Sequence, residues 1–178
     1  MRTAVVVLSS FLVIISYFSS RHSHFILQRE MFTFALRIVN QLFLGNLKKI
    51  PVTNPYQVPF RCWPIDLDLF FHMNNASYFR VAELARWRMF PQTNMVSIAN
   101  SLGAMFLVVD QNIKYIRPIG PFQKYVVNTK LTVSDDKWIH NIHTFQQHPD
   151  HVKNGEEPKI YAVVDCKAVI KVCARACV

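Results

Sequence analysis

At 178 residues, 51% hydrophobic and 13% aromatic, the chain can build one domain of ordinary size plus an appendage, and it is too apolar to be disordered. Its four glycines form no G-x-G-x-x-G or P-loop pattern, which argues against a phosphate-cradling loop. The net charge of +9 is scattered rather than blocked, so nucleic acid is not an expected partner, whereas an acidic membrane surface or a phosphate-bearing ligand fits.

The first element is apolar. Residues 4–18 hold no charge, and with Thr3, Ser19 and Ser20 they make 18 uncharged positions, the lower edge of what spans a bilayer. A cleaved signal segment is the rival reading, but Tyr17 and Phe18 stand where a cleavage site wants small residues. Residues 1–20 are therefore expected to be a membrane anchor, with secretion as the alternative. Residues 21–55 follow as an amphipathic helix and linker. Over 25–44, Arg29, Glu30, Thr33, Arg37, Asn40 and Gln41 fall on one side, and Phe25, Ile26, Phe32, Leu36 and Phe43 are among the apolar remainder. That helix lies either in a membrane interface or against the folded domain, and Gly45 is expected to end it.

A domain is expected from residue 56 to the end. Gln57 to Trp63 alternates like a strand, with Val58, Phe60 and Cys62 on one face. Next comes an acidic loop containing Asp66, Asp68, His72, Asn74 and Asn75, then a pattern without Gly or Pro from Ala76 to Phe90. Tyr78, Val81, Ala82, Ala85 and Met89 recur there at helical spacing, with Leu84 beside them. Asn74 or Asn75 can cap this helix, and Pro91 is expected to stop it. Pro91, Asn94, Asn100 and Gly103 signal a loop. Four strand-like runs follow, at 105–116, 122–133, 137–147 and 159–172. One strand, one long helix and four strands with short links predict an α+β fold, an antiparallel sheet with a helix on one face.

An acidic loop feeding a helix start can bring together a base or nucleophile and a donor to an anion or a carbonyl oxygen. A carboxylate supplies the first, and a backbone N–H at a helix start the second. Asp66 suits a turn or a cap better than chemistry. Glu83 and Arg86 are expected to form a local ion pair. His140 and His143 fall on opposite faces of a strand, and His148 and His151 lie in a polar loop, so no metal site is expected. Cys62, Cys166, Cys173 and Cys177 lack zinc-ligand spacing and suit buried or free thiols, with a disulfide near the C-terminus left open.

The run D-x-D-x-x-x-H-M-N-N-A-x-Y from Asp66 to Tyr78, then E-x-A-R from Glu83 to Arg86, then Tyr115-Ile-Arg117-Pro118 at a strand end, resembles the 4-hydroxybenzoyl-CoA thioesterase-like branch of the hotdog proteins. The likeness covers about residues 56–173. It implies a hotdog fold in which the sheet wraps the helix, a homodimer, and an acyl-CoA substrate with no cofactor. It also implies Asp68 as catalytic base or nucleophile, the helix start near Asn75 as oxyanion site, and His72, Asn74, Tyr78 and Arg117 around the substrate. An endoplasmic-reticulum membrane location comes with it. The broader family has Gly before the His, where this chain has Phe71, so the loop is expected to bend differently or the pocket to narrow. The alternative is a membrane-tethered hotdog protein that binds lipid or acts as a scaffold without turnover. A hotdog dehydratase is disfavoured, since its spacing and Pro-Gly loop are not found.

Overall fold

A computed structural model describes residues 32–47, 49–51, 56–134, 138–153 and 155–172. The expected anchor at 1–20, the start of the amphipathic helix, Cys173 and Cys177 lie outside these residues. The chain divides into two compact units, Met1–Asn40 and Gln41–Val178. Helix α1 covers 32–46 and so runs past Gly45, the residue expected to end it. The reason is a close approach. A Cβ on Gly45 would sit 2.5 Å from the Arg88 carbonyl oxygen, so glycine here serves packing rather than termination. Gln41, expected on a polar outer side, is buried. Among the described residues, no helix is long and apolar enough to cross a membrane.

The second unit is built on a five-stranded antiparallel sheet in the order β1-β3-β4-β5-β2. The strands are β1 Tyr56–Arg61, β2 Ala104–Tyr115, β3 Lys124–Ser134, β4 Trp138–Gln147 and β5 Ile160–Val172. Each lies within a few residues of its expected run, because alternation marks a strand buried on one face. Helix α2, Asn75–Gln92, packs on that face. Its Tyr78, Val81, Ala82, Leu84, Ala85 and Met89 are all nearly or fully buried, as the spacing predicted. Opposite them one register row of the sheet runs Val58, Val127, Phe145 and Ala162, every one fully buried. Val58, Val127 and Phe145 each contribute about 1.5–3 kcal/mol by leaving water. Tyr78 meets Phe145 edge-on at 5.2 Å and Tyr115 at 5.3 Å, which fixes the start of the helix over that row.

Two expectations fail around Pro91. The helix continues through it to Gln92, and the expected loop holds a second helix, α3, Met95–Leu102. Pro91 lies one residue before the end of α2, so the single i→i−4 bond that its missing N–H removes is among the last of the helix. Thr93 closes that end, its N–H and hydroxyl both donating to the Met89 carbonyl, while Lys49 Nζ donates to the Pro91 carbonyl at 2.7 Å. Asn94 and Gly103, both with φ 58°, bracket α3 as its caps.

Candidate active site

The acidic loop is a set of tight turns that ends in the cap of α2. A 3₁₀ turn, Pro64–Asp66, comes first, and the fully buried Asp66 accepts from the Trp63 N–H through Oδ2 at 3.1 Å. Asp66 is thus the turn acid that its sequence position suggested. The next turn forms around Asp68. Its N–H donates to the His72 carbonyl at 2.8 Å, and its Oδ1 accepts from the N–H of Phe70 at 2.9 Å and of His72 at 3.2 Å. Among the described residues Oδ2 takes no donor, so one carboxylate oxygen is anchored and the other is unengaged.

Closing this turn forces Phe71 to φ 58°, a left-handed conformation that costs an L residue about 1–2 kcal/mol and costs glycine almost nothing. This is the position where the family pattern has Gly, and the backbone bends as Gly would bend. The consequence falls on the side chain. Leu69, Phe70 and Phe71 are 94%, 80% and 72% exposed, three large apolar groups facing water beside Asp68.

Asn74 is the N-cap of α2, its Oδ1 accepting from the Ala76 N–H at 2.9 Å and its carbonyl from the Ser77 N–H at 2.8 Å. The Asn75 N–H has no acceptor among the described residues, and it stands at the positive end of the helix dipole. A cavity of about 260 Å³ opens here, and Asp68, His72, Asn75, Tyr78 and Arg117 all line it, together with Met73 and Tyr115. Five of the six residues expected at the site therefore share one space. The sixth, Asn74, borders a neighbouring apolar cavity of about 620 Å³ with Leu67, Leu69, Phe70 and Phe71. Asp68 lines both cavities.

Within the first cavity His72 is exposed and Tyr78 is buried at 2% exposure, its hydroxyl pushed up to about 12, chiefly by desolvation. Arg117 is exposed and tethered by one bond, Nη1 to the Ile160 carbonyl at 3.2 Å. Tyr115 and Met73 were not anticipated. Tyr115 is the aromatic of the Tyr-x-Arg-Pro strand end, and that motif was the available signal for it.

The expected Glu83–Arg86 pair does not form. Arg86 Nη1 instead donates to Cys166 Sγ at 2.9 Å, and Glu83 accepts from Trp87 Nε1 at 3.3 Å. Cys166 lies across the sheet from Asn141 and Gln111, so a polar row crosses the core beneath the middle of α2. His143, one row away, is fully buried and bonded through Nδ1 to Thr129 Oγ1 at 2.9 Å. Burial, and then the Arg86 charge, hold its pKa down to about 3, so it stays neutral.

A sheet wrapped on one apolar helix, with an acidic turn feeding that helix's N-terminus, defines the hotdog class of α+β proteins. The sequence model of the Thioesterase-like superfamily matches residues 62–175, and the chain belongs to that superfamily. It is similar to Protein THEM6 of Xenopus laevis, 35% identical over 74 residues, which are 42% of this chain and 36% of that protein. Protein THEM6 of Drosophila melanogaster is 32% identical over 108 residues, 59% of this chain and 56% of that one. The chain thus spans between about a third and just over half of the length of these relatives. Among solved structures, the probable thioesterase YbaW of Escherichia coli superposes with a TM-score of 0.60 at 21% identity, over 67% of this chain and 84% of that chain. SAV2348 of Staphylococcus aureus, solved in complex with CoA, gives 0.54 at 10% identity, over 70% and 75%.

Proposed function

We propose that the protein hydrolyses acyl-CoA thioesters of fatty acids, with Asp68 as the reacting carboxylate and the Asn75 N–H as the oxyanion donor. One juxtaposition carries the reading: Asp68, with one anchored and one unengaged carboxylate oxygen, lines the same cavity as Asn75, the first residue of α2. As a base, Asp68 takes a proton from water. The hydroxide adds to the thioester carbonyl, the oxyanion accepts from Asn75, and the C–S bond breaks to release CoA thiolate, which takes up a proton. As a nucleophile, Asp68 forms an acyl anhydride and expels CoA, and water then cleaves the anhydride. Both routes consume one water and yield one acid and one thiol. His72 and Arg117 lie at the mouth, where they can meet polar parts of CoA, while the apolar cavity beside Asp68 suits an acyl chain.

The chain acts as a homodimer in this proposal. Strand β2 is a sheet edge that exposes Met105, Leu107, Val108 and Val109, an apolar pairing surface which water does not favour. The first 20 residues tether it to a membrane, and the endoplasmic reticulum is the proposed one. A second reading, binding without turnover, is favoured by the protruding Phe71 alone. The full chain offered a panel of acyl-CoAs separates the two. Free CoA and free acid appearing in equal amounts support hydrolysis, and acyl-CoA retained intact on the protein supports binding alone.

A further inference from the structure

The hydrolytic site leaves an adjoining face unexplained. A cavity of about 460 Å³ lies there, lined by Arg61, Phe122, Lys124, Gln147, His151 and Tyr161 among others. The Arg61 guanidinium stands 5.7 Å from the centre of the Trp63 ring, which holds the cation at the rim. Among the described residues Lys124 Nζ has one loose carboxylate neighbour, Asp150 at 3.9 Å. Trp63 and Phe122 meet edge to face at 6.3 Å, yet they are 50% and 55% exposed.

Phe122 shares a peculiarity with Phe71: its φ is also 58°. Two phenylalanines thus occupy backbone that glycine would fill without strain, and both turn their rings toward water. Left-handed strain at bulky, largely exposed side chains points to a use beyond the fold. The two loops that carry them are tied together. Met73 N–H donates to the Ile119 carbonyl at 2.9 Å, Phe122 N–H to the Cys62 carbonyl at 2.8 Å, and Cys62 N–H to the Gln123 carbonyl at 3.0 Å. Pro64, next to Trp63, also borders the apolar cavity of Leu69, Phe70 and Phe71. The rings and cations therefore sit in loops at one end of the five-stranded sheet.

We propose that this end docks on an anionic phospholipid bilayer, with Leu69, Phe70, Phe71, Trp63 and Phe122 in the interfacial zone and a lipid phosphate in the Arg61–Lys124 cavity. Aromatic and leucine side chains favour that zone, and a chain of charge +9 is drawn to anionic headgroups. A second copy of the chain fits less well, since a two-fold contact here would bring Arg61 and Lys124 toward their own images. Asp68 borders the same apolar loop, so docking opens the proposed hydrolytic site at the lipid plane. The inference does not need turnover: its readout is contact, so a failed hydrolysis assay and a failed contact assay are separate results.

Sedimentation with lipid would be uninformative, because the apolar first 20 residues are expected to bind lipid unaided. The test is quenching of Trp63 in the full chain, on phosphatidylcholine–phosphatidylserine vesicles whose acyl chains carry bromine at a shallow position. Trp63→Phe identifies its share of the emission. Docking predicts roughly twofold quenching of that share. A Phe71→Gly, Phe122→Gly double variant keeps or raises its melting temperature and loses the quenching, and Arg61→Gln weakens the preference for phosphatidylserine. Trp63 emission indifferent to bromine overturns the proposal. So does quenching that survives both phenylalanine replacements, or that is equal on neutral vesicles. Shielding of Trp63 from aqueous acrylamide and from bromine alike means that a second copy covers the face, and it also overturns the proposal.

Discussion

At the start of α2, Asp68 keeps one carboxylate oxygen unengaged beside a cavity, and the turn that holds it is strained and ringed by exposed apolar groups. About three turns along the same helix, Arg86 is buried against Cys166, and His143 is packed neutral against Thr129. Both regions put polar atoms under one helix on one sheet. In the first they are left open to a ligand. In the second they are closed off from water: Arg86 is bonded to Cys166 and His143 to Thr129, Asn141 Oδ1 and His143 Nε2 are buried without a partner among the described residues, and burial keeps the imidazole neutral. A polar side chain in the core is therefore no sign of a site, whereas an anchored group with an unused oxygen at a cavity is one.

The comparison can be broken first at the interior. Arg86→Ala should cost about 3 kcal/mol in chemical denaturation, through lost packing of the stem and an orphaned polar row, without a matching loss of turnover in the folded protein. An equal loss of turnover would mean that the interior cluster belongs to the site. His143 offers a second handle. The unfolded residue titrates near 6.5 and the folded one near 3, so the unfolded state takes up a proton that the folded state refuses. Its contribution is present above pH 6.5 and is lost as pH falls toward 3, by about 1.4 kcal/mol per pH unit. Stability measured against pH should fall less steeply over that window in His143→Gln.

At the mouth the effects on stability are smaller. Asn74→Ala removes the cap of α2 and should cost about 1 kcal/mol, with turnover falling too because the oxyanion donor sits one residue on. Phe71→Gly should stabilise by about 0.5 kcal/mol, since relief of left-handed strain outweighs the added freedom of the unfolded chain. A destabilised Phe71→Gly would show that the exposed ring packs on something, contrary to the comparison.

These contrasts also explain what could be seen in the sequence. The strands and the buried face of α2 were legible because periodicity records which side faces the core. Asp68, His72, Asn74, Asn75 and Tyr78 were legible because one turn and one helix start carry them all, within eleven residues. The misses arose from contacts between distant segments. Arg86 chose Cys166, 80 positions away, over Glu83 three away. Gly45 and Pro91 looked like stops, yet they meet in a helix contact. Asn94 and Gly103 read as loop signals in the sequence, but the same residues cap helices, and α3 lies between them. The Leu69–Phe71 triplet could have been noticed as a bulky apolar run inside an acidic turn.

The most direct measurement is CoA release by the full chain and by Asp68→Asn, at saturating acyl-CoA and with matched folding. Asn preserves the shape and the two anchoring acceptor contacts but can neither take the proton nor attack. The account predicts a fall in kcat of about 10²–10⁴ with KM little changed. Equal kcat in the two proteins would contradict it.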